Sequence, residues 1–127
     1  MLKINECKKP VIKNFTPHPI SLYNENCQKI ILTIPNEGVA RLQEKVKKVH
    51  VITLEGKKIT VVHKDYEEVI DLPQPQENVF YAVSVLVALA SDRIDLIAPD
   101  TGKDSVVRDG KGMILGVRRF QTVVKGG

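Results

Sequence analysis

The chain has no tryptophan, and Phe, Trp and Tyr together make up only 5% of it. Single-stranded nucleic acid is held by bases stacked on aromatic rings, so such a platform lacks its material here. Cysteine is nearly as scarce. Cys7 and Cys27 have neither CxxC spacing nor histidine neighbours, and they read as free thiols in a reducing cytoplasm. The longest apolar run, Val79 to Ala90, contains Ser84 and is too short to span a bilayer. Met1-Leu2-Lys3 opens into polar sequence, without the pattern of a secretory signal. Walker, GxGxxG, GxSxG and HExxH motifs are all missing. His18, His50 and His63 are too dispersed to define a metal cluster, so neither metal nor cofactor is expected.

The composition that remains is that of one ordinary globular domain. The chain has 127 residues, 43% hydrophobic and 27% charged, which supports a single core but not two. Lys125-Gly126-Gly127 reads as a frayed tail. The net charge of +4 leans weakly towards anionic partners. Lys45, Lys47, Lys48, Lys57 and Lys58 carry much of that excess, and a solvated hairpin face accounts for them equally well.

Turn punctuation divides the chain into short strands. Strands are expected at Val11–Phe15, Ile20–Tyr23, Lys29–Ile34, Val39–Leu42, Val46–Leu54 and Ile59–His63, with Glu55-Gly56-Lys57 as a hairpin loop. The segment Leu72-Pro73-Gln74-Pro75-Gln76 reads as an extended connector. Val79–Val83 is a further strand, and Ser84 is placed to cap a helix through Ala90. That helix has almost no polar face, which predicts burial on most sides. Ser105–Asp109 and Met113–Arg119 complete the strands. The expected fold is α+β: predominantly antiparallel β, a small sheet or barrel-like core, with one buried apolar helix near residues 84–91.

Two features carry functional information. In Asn14-Phe15-Thr16-Pro17-His18-Pro19-Ile20, two prolines fix the backbone on either side of His18 and remove two donors. Seven residues thus present one imidazole and one amide on a stiff ribbon. This suits a sheet that must start in one register, or a ligand pocket. The second feature is the distribution of arginine. Apart from Arg41, every arginine lies between positions 93 and 119, whereas most cations are lysines. Arginine is the side chain for bidentate phosphate contacts. The plainer reading makes Arg93 a helix C-terminal cation paired with Asp92 or Asp95.

Taken together, Asn14 to Ile20, Pro73 to Ala88, Asp92 to Leu96 and Val107 to Gly116 resemble a family of small phage and prophage proteins. Within it the chain is similar to the first class of Thoeris anti-defence proteins. These are nucleotide sponges, which sequester, without cleaving it, the cyclic ADP-ribose isomer made by bacterial TIR-domain enzymes. Some members also hold cyclic oligonucleotides. The resemblance implies a cytoplasmic, non-enzymatic binder in an infected bacterium, assembled as a homodimer or a larger set of dimers, with no membrane or polymeric nucleic-acid partner. On that reading Arg108 and Arg93 take the phosphates. Tyr81, or Phe80 if the register differs, stacks on the adenine, and alternation lets only one of them enter the pocket. Tyr81 is favoured because it aligns with the motif aromatic. Ser91, Asp92 and Asp95 meet ribose hydroxyls, and Asn14, Thr16 and His18 contribute from the ribbon. A small phosphodiesterase or ring nuclease using His18, and a phage structural or adaptor protein, are the alternative functions.

Overall fold

The computed structural model describes residues 9–26 and 29–123. The cysteines and the C-terminal tail discussed above lie outside the described residues. Among the described residues ten strands and one short helix follow one another: β1 (Val11–Asn14), β2 (Ile20–Tyr23), β3 (Ile30–Ile34), β4 (Arg41–Leu54), β5 (Lys57–Ile70), β6 (Val79–Ala82), α1 (Val85–Leu89), β7 (Leu96–Pro99), β8 (Val106–Arg108), β9 (Ile114–Val117) and β10 (Phe120–Gln121). The fold is a small α+β fold, mostly strand.

The strands form a four-stranded sheet β1-β6-β7-β10, a second four-stranded sheet β3-β2-β9-β8, and a separate ribbon β4-β5. Neither four-stranded sheet closes into a barrel. Pairing in both is mixed. In the first sheet β1, β6 and β7 run parallel and β10 antiparallel. In the second, β2 runs parallel to β9 and antiparallel to β3.

The first sheet is covered on both faces. Val79-Phe80-Tyr81-Ala82-Val83 and Leu96-Ile97-Ala98 are unbroken apolar runs, the pattern of parallel strands buried on two sides. Tyr81, Val83 and Leu96 point towards Ala40, Val87 and Ala88, joined by Phe15, Leu42 and Val69. Ala82 and Ile97 point the other way, onto Ile20, Ile34 and Val117 of the second sheet, with Phe80 packed beside them. Two apolar clusters therefore sit on either side of one central sheet. Gly116 allows the second sheet to close up, because a Cβ there would collide with the Ser21 carbonyl oxygen and sit 2.8 Å from the Tyr23 ring.

Two expectations are corrected. Ser84 does cap α1, its Oγ accepting a bond from the Val87 N–H at 3.3 Å. The helix is only five residues long, however, and buries Val87 and Ala88 while leaving Leu86 48% and Leu89 57% exposed. A segment of little more than one turn has one inward side, so an all-apolar composition did not translate into all-round burial. The second correction concerns the segments at 39–42, 46–54 and 59–63. They belong to one long hairpin of two 14-residue strands, continuous through bulges near Gln43 and Lys47. Strands β7 and β10 were not anticipated.

Candidate functional site

The Thr-Pro-His-Pro ribbon is pinned by the buried Asn14 side chain at the end of β1. Its Nδ2 donates to the His18 carbonyl at 2.9 Å and to the Ile34 carbonyl at 3.1 Å. Its Oδ1 accepts from the Thr16 N–H at 2.9 Å and lies 2.6 Å from the Thr16 hydroxyl. That hydroxyl also lies 2.9 Å from the His18 carbonyl, so its single hydrogen serves one oxygen at a time. Asparagine suits the position because one amide supplies two donors and an acceptor. The clamp ties β1, the ribbon and the end of β3 together, and it leaves Pro17, His18 and Pro19 exposed.

His18 stands at the wall of a cleft of about 350 Å³. Thr16, Ser21 and Thr101 add hydroxyl-bearing residues to the lining, and Pro99, Ile114 and Leu115 add apolar surface. Arg108 is the register partner of Ile114 across β8 and β9. Its guanidinium is exposed and donates through Nη1 to the Gly112 carbonyl at 2.7 Å, which holds the arginine against the turn Asp109-Gly110-Lys111-Gly112. Asp109 shapes that turn, its carboxylate accepting from the N–H groups of Lys111 and Met113 at 2.8 and 3.0 Å. Arg119, near the same edge, is committed to Asp100 at 2.7 Å. The arginine, with the Gly102 N–H bonded to the same carboxylate, holds the Asp100 carboxyl below the usual aspartate range, the arginine contributing most.

Of the predicted residues only Thr16 and His18 line this cleft; Arg108 and Asn14 stand outside its lining, and Tyr81, Phe80, Ser91, Asp92, Arg93 and Asp95 lie elsewhere. Tyr81 is wholly buried, with Phe15 edge-on at 5.8 Å and its hydroxyl donating to the Gln74 carbonyl at 3.1 Å. The ring is fully enclosed, so it has no free face to offer a purine; burial also raises its phenol pKa above the ordinary value. Phe80 packs in the second cluster. Arg93 clasps both oxygens of Asp95 at 3.0 and 2.7 Å, donates to the Pro73 carbonyl at 2.8 Å and lies 5.4 Å above the Tyr81 ring. This arginine staples the proline connector to β7. Its pairing with Asp95 is half of the plainer sequence reading; the other half is corrected, because α1 ends at Leu89 and its last turn carries no basic residue. Ser91 Oγ accepts from the Arg93 N–H at 3.1 Å.

Asp92 and Ser91 line a different hollow of about 600 Å³, beside Glu67, Glu68, Val69, Leu89 and Ala90. Three carboxylates there disfavour a diphosphate. A third hollow of about 480 Å³ lies between the hairpin base and α1, lined by residues that include Pro17, Ala40, Leu42, Tyr66 and Leu86.

Sequence reasoning missed Ser21, Thr101 and the strand Ile114–Val117 as cleft walls. The signal available was Gly116, whose missing side chain sets how closely β9 approaches β2. Among the described residues no group of His, Cys, Asp or Glu side chains is arranged to hold a metal. No described helix is long and apolar enough to cross a membrane. Neither a protein-family profile nor a curated protein nor a solved structure matches the chain.

Proposed function

We propose that the protein binds and sequesters a cyclic nucleotide immune signal in the cytoplasm of an infected bacterium, releasing it intact, as its resemblance to nucleotide sponges implies. The observation that carries this reading is the Asn14 clamp. A buried amide with four polar neighbours fixes a surface loop whose only titratable side chain, His18, faces a small cleft. Small-molecule sites are commonly clefts of this kind, apolar with a few placed polar groups.

In this arrangement the base rests on Pro99, Ile114 and Leu115. His18, Thr16 and Thr101 meet sugar hydroxyls, and Arg108 closes on a phosphate. A cleft of about 350 Å³ holds part of a dinucleotide-sized ring, so the rest of the ligand is covered by a second copy of the chain. Arg93 and Tyr81 act as supports of the fold and have no ligand contact.

The test is incubation of the purified protein with extract from cells carrying an activated TIR system, then heat denaturation and mass spectrometry of the released material. Recovery of an intact cyclic ADP-ribose isomer is expected. A cleaved product would replace sequestration with phosphodiesterase chemistry. No bound nucleotide under any condition would favour a structural or adaptor role, to which the long β4–β5 arm lends a specific observation.

A further inference from the structure

The β4–β5 hairpin has too little of the molecule against it. Val49, Val51, Ile52, Leu54, Val61 and Val62 are each 43–63% exposed. The register puts Val49, Val51 and Val62 on one face and Ile52, Leu54, Ile59 and Val61 on the other. Both faces are therefore apolar, and among the described residues no strand pairs with either outer edge. A two-stranded ribbon is marginal in water by itself, and open edges invite another strand.

The charges along the ribbon say which edge is used, and by what. β5 is basic at its tip, with Lys57 and Lys58, and acidic at its base, with Asp65, Glu67 and Glu68. Lys57, Lys58, Glu67 and Glu68 make no ion pair among the described residues. Antiparallel pairing of β5 with its own copy sets each basic tip beside an acidic base. A two-fold axis normal to the sheet keeps each face on its own side, so the axis passes through a residue. Centred on Val62, it sets Lys57 opposite Glu67 of the second copy; centred on His63, it brings Lys58 beside the bulge that Glu67 and Glu68 form in β5. The β4 edge behaves in the opposite way. Antiparallel pairing centred on Lys47 or on Lys48 sets that lysine against its own copy, and like charges directly opposite are destabilising.

A second observation lies where the tip would arrive. The hollow of about 600 Å³ beside the β5 base is rimmed by Glu67, Glu68 and Asp92 and floored in part by Leu89, itself 57% exposed. The tip offers Lys57 and Lys58 for the rim and Leu54, 58% exposed, for Leu89.

We infer that two copies of the chain pair antiparallel through β5, forming a four-stranded β4-β5-β5-β4 sheet, with each hairpin tip seated in the acidic hollow of the other copy. The contact is isologous, as two-fold dimers require. It does not depend on the nucleotide reading.

The test uses charge exchange in the full chain. Sedimentation equilibrium at micromolar concentration is expected to give a dimer for the wild type. The pair Lys57→Glu with Lys58→Glu, and separately Glu67→Lys with Glu68→Lys, is expected to weaken dimerisation by at least tenfold. Mixing the two variants is expected to restore it as a heterodimer, because each reversed tip then meets a reversed base. This rescue separates lost pairing from lost folding. Val62→Cys or His63→Cys is expected to give a reducible cross-linked dimer in excess of the wild type, and Lys47→Cys is not. A wild-type monomer throughout the micromolar range would overturn the interface. So would a dimer indifferent to both charge reversals, or a mixture with no gain in heterodimer. Nucleotide captured by a monomer would sink this interface and the covering of the ligand by a second copy, and would leave sequestration itself standing.

Discussion

The body of the molecule and its arm are built from the same kinds of residue and obey different rules. In the body, Tyr81, Ala82, Val83, Leu96 and Ala98 are completely or almost completely covered, and the buried polar groups Asn14 and Ser105 are hydrogen-bonded. In the arm, valines and isoleucines of similar hydrophobicity remain about half exposed, held by one ladder of backbone bonds and a few surface ion pairs such as Lys64–Glu44 at 3.0 Å. The apolar content of a segment therefore does not reveal its burial. What decides it is whether the topology brings a second layer over it, and the arm receives none from the described residues.

The largest expected effect is on the body. Tyr81→Ala removes a fully buried ring, and aromatic-to-alanine changes in cores cost about 3–5 kcal/mol. Val49→Ala on the arm is expected to stay within about 0.5 kcal/mol in a monomer, as exposed substitutions do. Urea unfolding of both variants at submicromolar concentration checks the contrast. Equal losses would mean that arm and body unfold as one tightly coupled unit.

Asn14→Ala comes next. It strips the Thr16 N–H and the His18 and Ile34 carbonyls of a partner. Each buried group left unsatisfied costs about 1–3 kcal/mol, so a loss of about 2 kcal/mol or more is expected. Hydrogen exchange should accelerate at Thr16 and in β3 and leave the arm unchanged. Retention of wild-type stability would show that water replaces the clamp and that the ribbon is not held by it.

The arginines divide along the same line. Arg93 and Asp95 are 22% and 15% exposed in their side chains, and Arg93→Ala removes charge-assisted bonds worth about 1.5–3 kcal/mol of folding stability. Arg108→Ala is expected to change stability by less than about 0.5 kcal/mol. Through loss of the proposed phosphate contact it is expected to weaken nucleotide binding by roughly 10- to 150-fold. Calorimetric titration with the released nucleotide, beside urea unfolding of both variants, separates the two roles. A destabilised Arg108→Ala with unaltered affinity would exchange them.

A smaller effect depends on pH. Burial raises the Tyr81 phenol pKa, so the fold favours the neutral ring. Its contribution is fully present below the ordinary tyrosine value near 10 and is lost as pH rises through the higher folded value. Tyr81→Phe gives up the bond to Gln74, worth about 1 kcal/mol at neutral pH. The gap between wild type and variant is expected to narrow above about pH 10. A gap constant from pH 7 to 11 would mean that the phenol is better solvated than its burial implies.

Sequence periodicity made several elements legible. Alternation at Phe80 and Tyr81 announced that they face opposite sides, and they do, although both sides are core. Ser84 before an apolar run marked the cap. The Pro-His-Pro segment announced rigidity, and its physical source, the Asn14 amide, lay two residues upstream of Thr16 in the same motif. The length of the arm was not legible, because bulges near Gln43 and Lys47 interrupt the period-two pattern at the lysine cluster. The parallel pairings were equally hidden, since a strand's own residues do not name its neighbour. Arg93 and Arg108 could not be told apart in sequence: both stand near aspartates, and only the tertiary path of Pro73 over β7 gives Arg93 its additional partners.

The smallest effect isolates the arm from the body. Glu55 and Gly56 turn the hairpin with φ of 51° and 76°. Positive φ at both central residues is the type I′ geometry that hairpins favour, in which Asn-Gly is preferred. Glutamate in the left-handed region carries a strain that asparagine relieves. Glu55→Asn is therefore expected to stabilise the arm by a few tenths of a kcal/mol, with Gly56 retained because any side chain there meets the same restriction. Amide exchange near the tip, at Thr53 to Ile59, should slow while the melting temperature of the body stays where it is. A rise in body melting temperature of several degrees would mean that stability passes between arm and body. The arm would then be a wall of the core, extended outwards, and its exposed valines would need a structural explanation other than a partner.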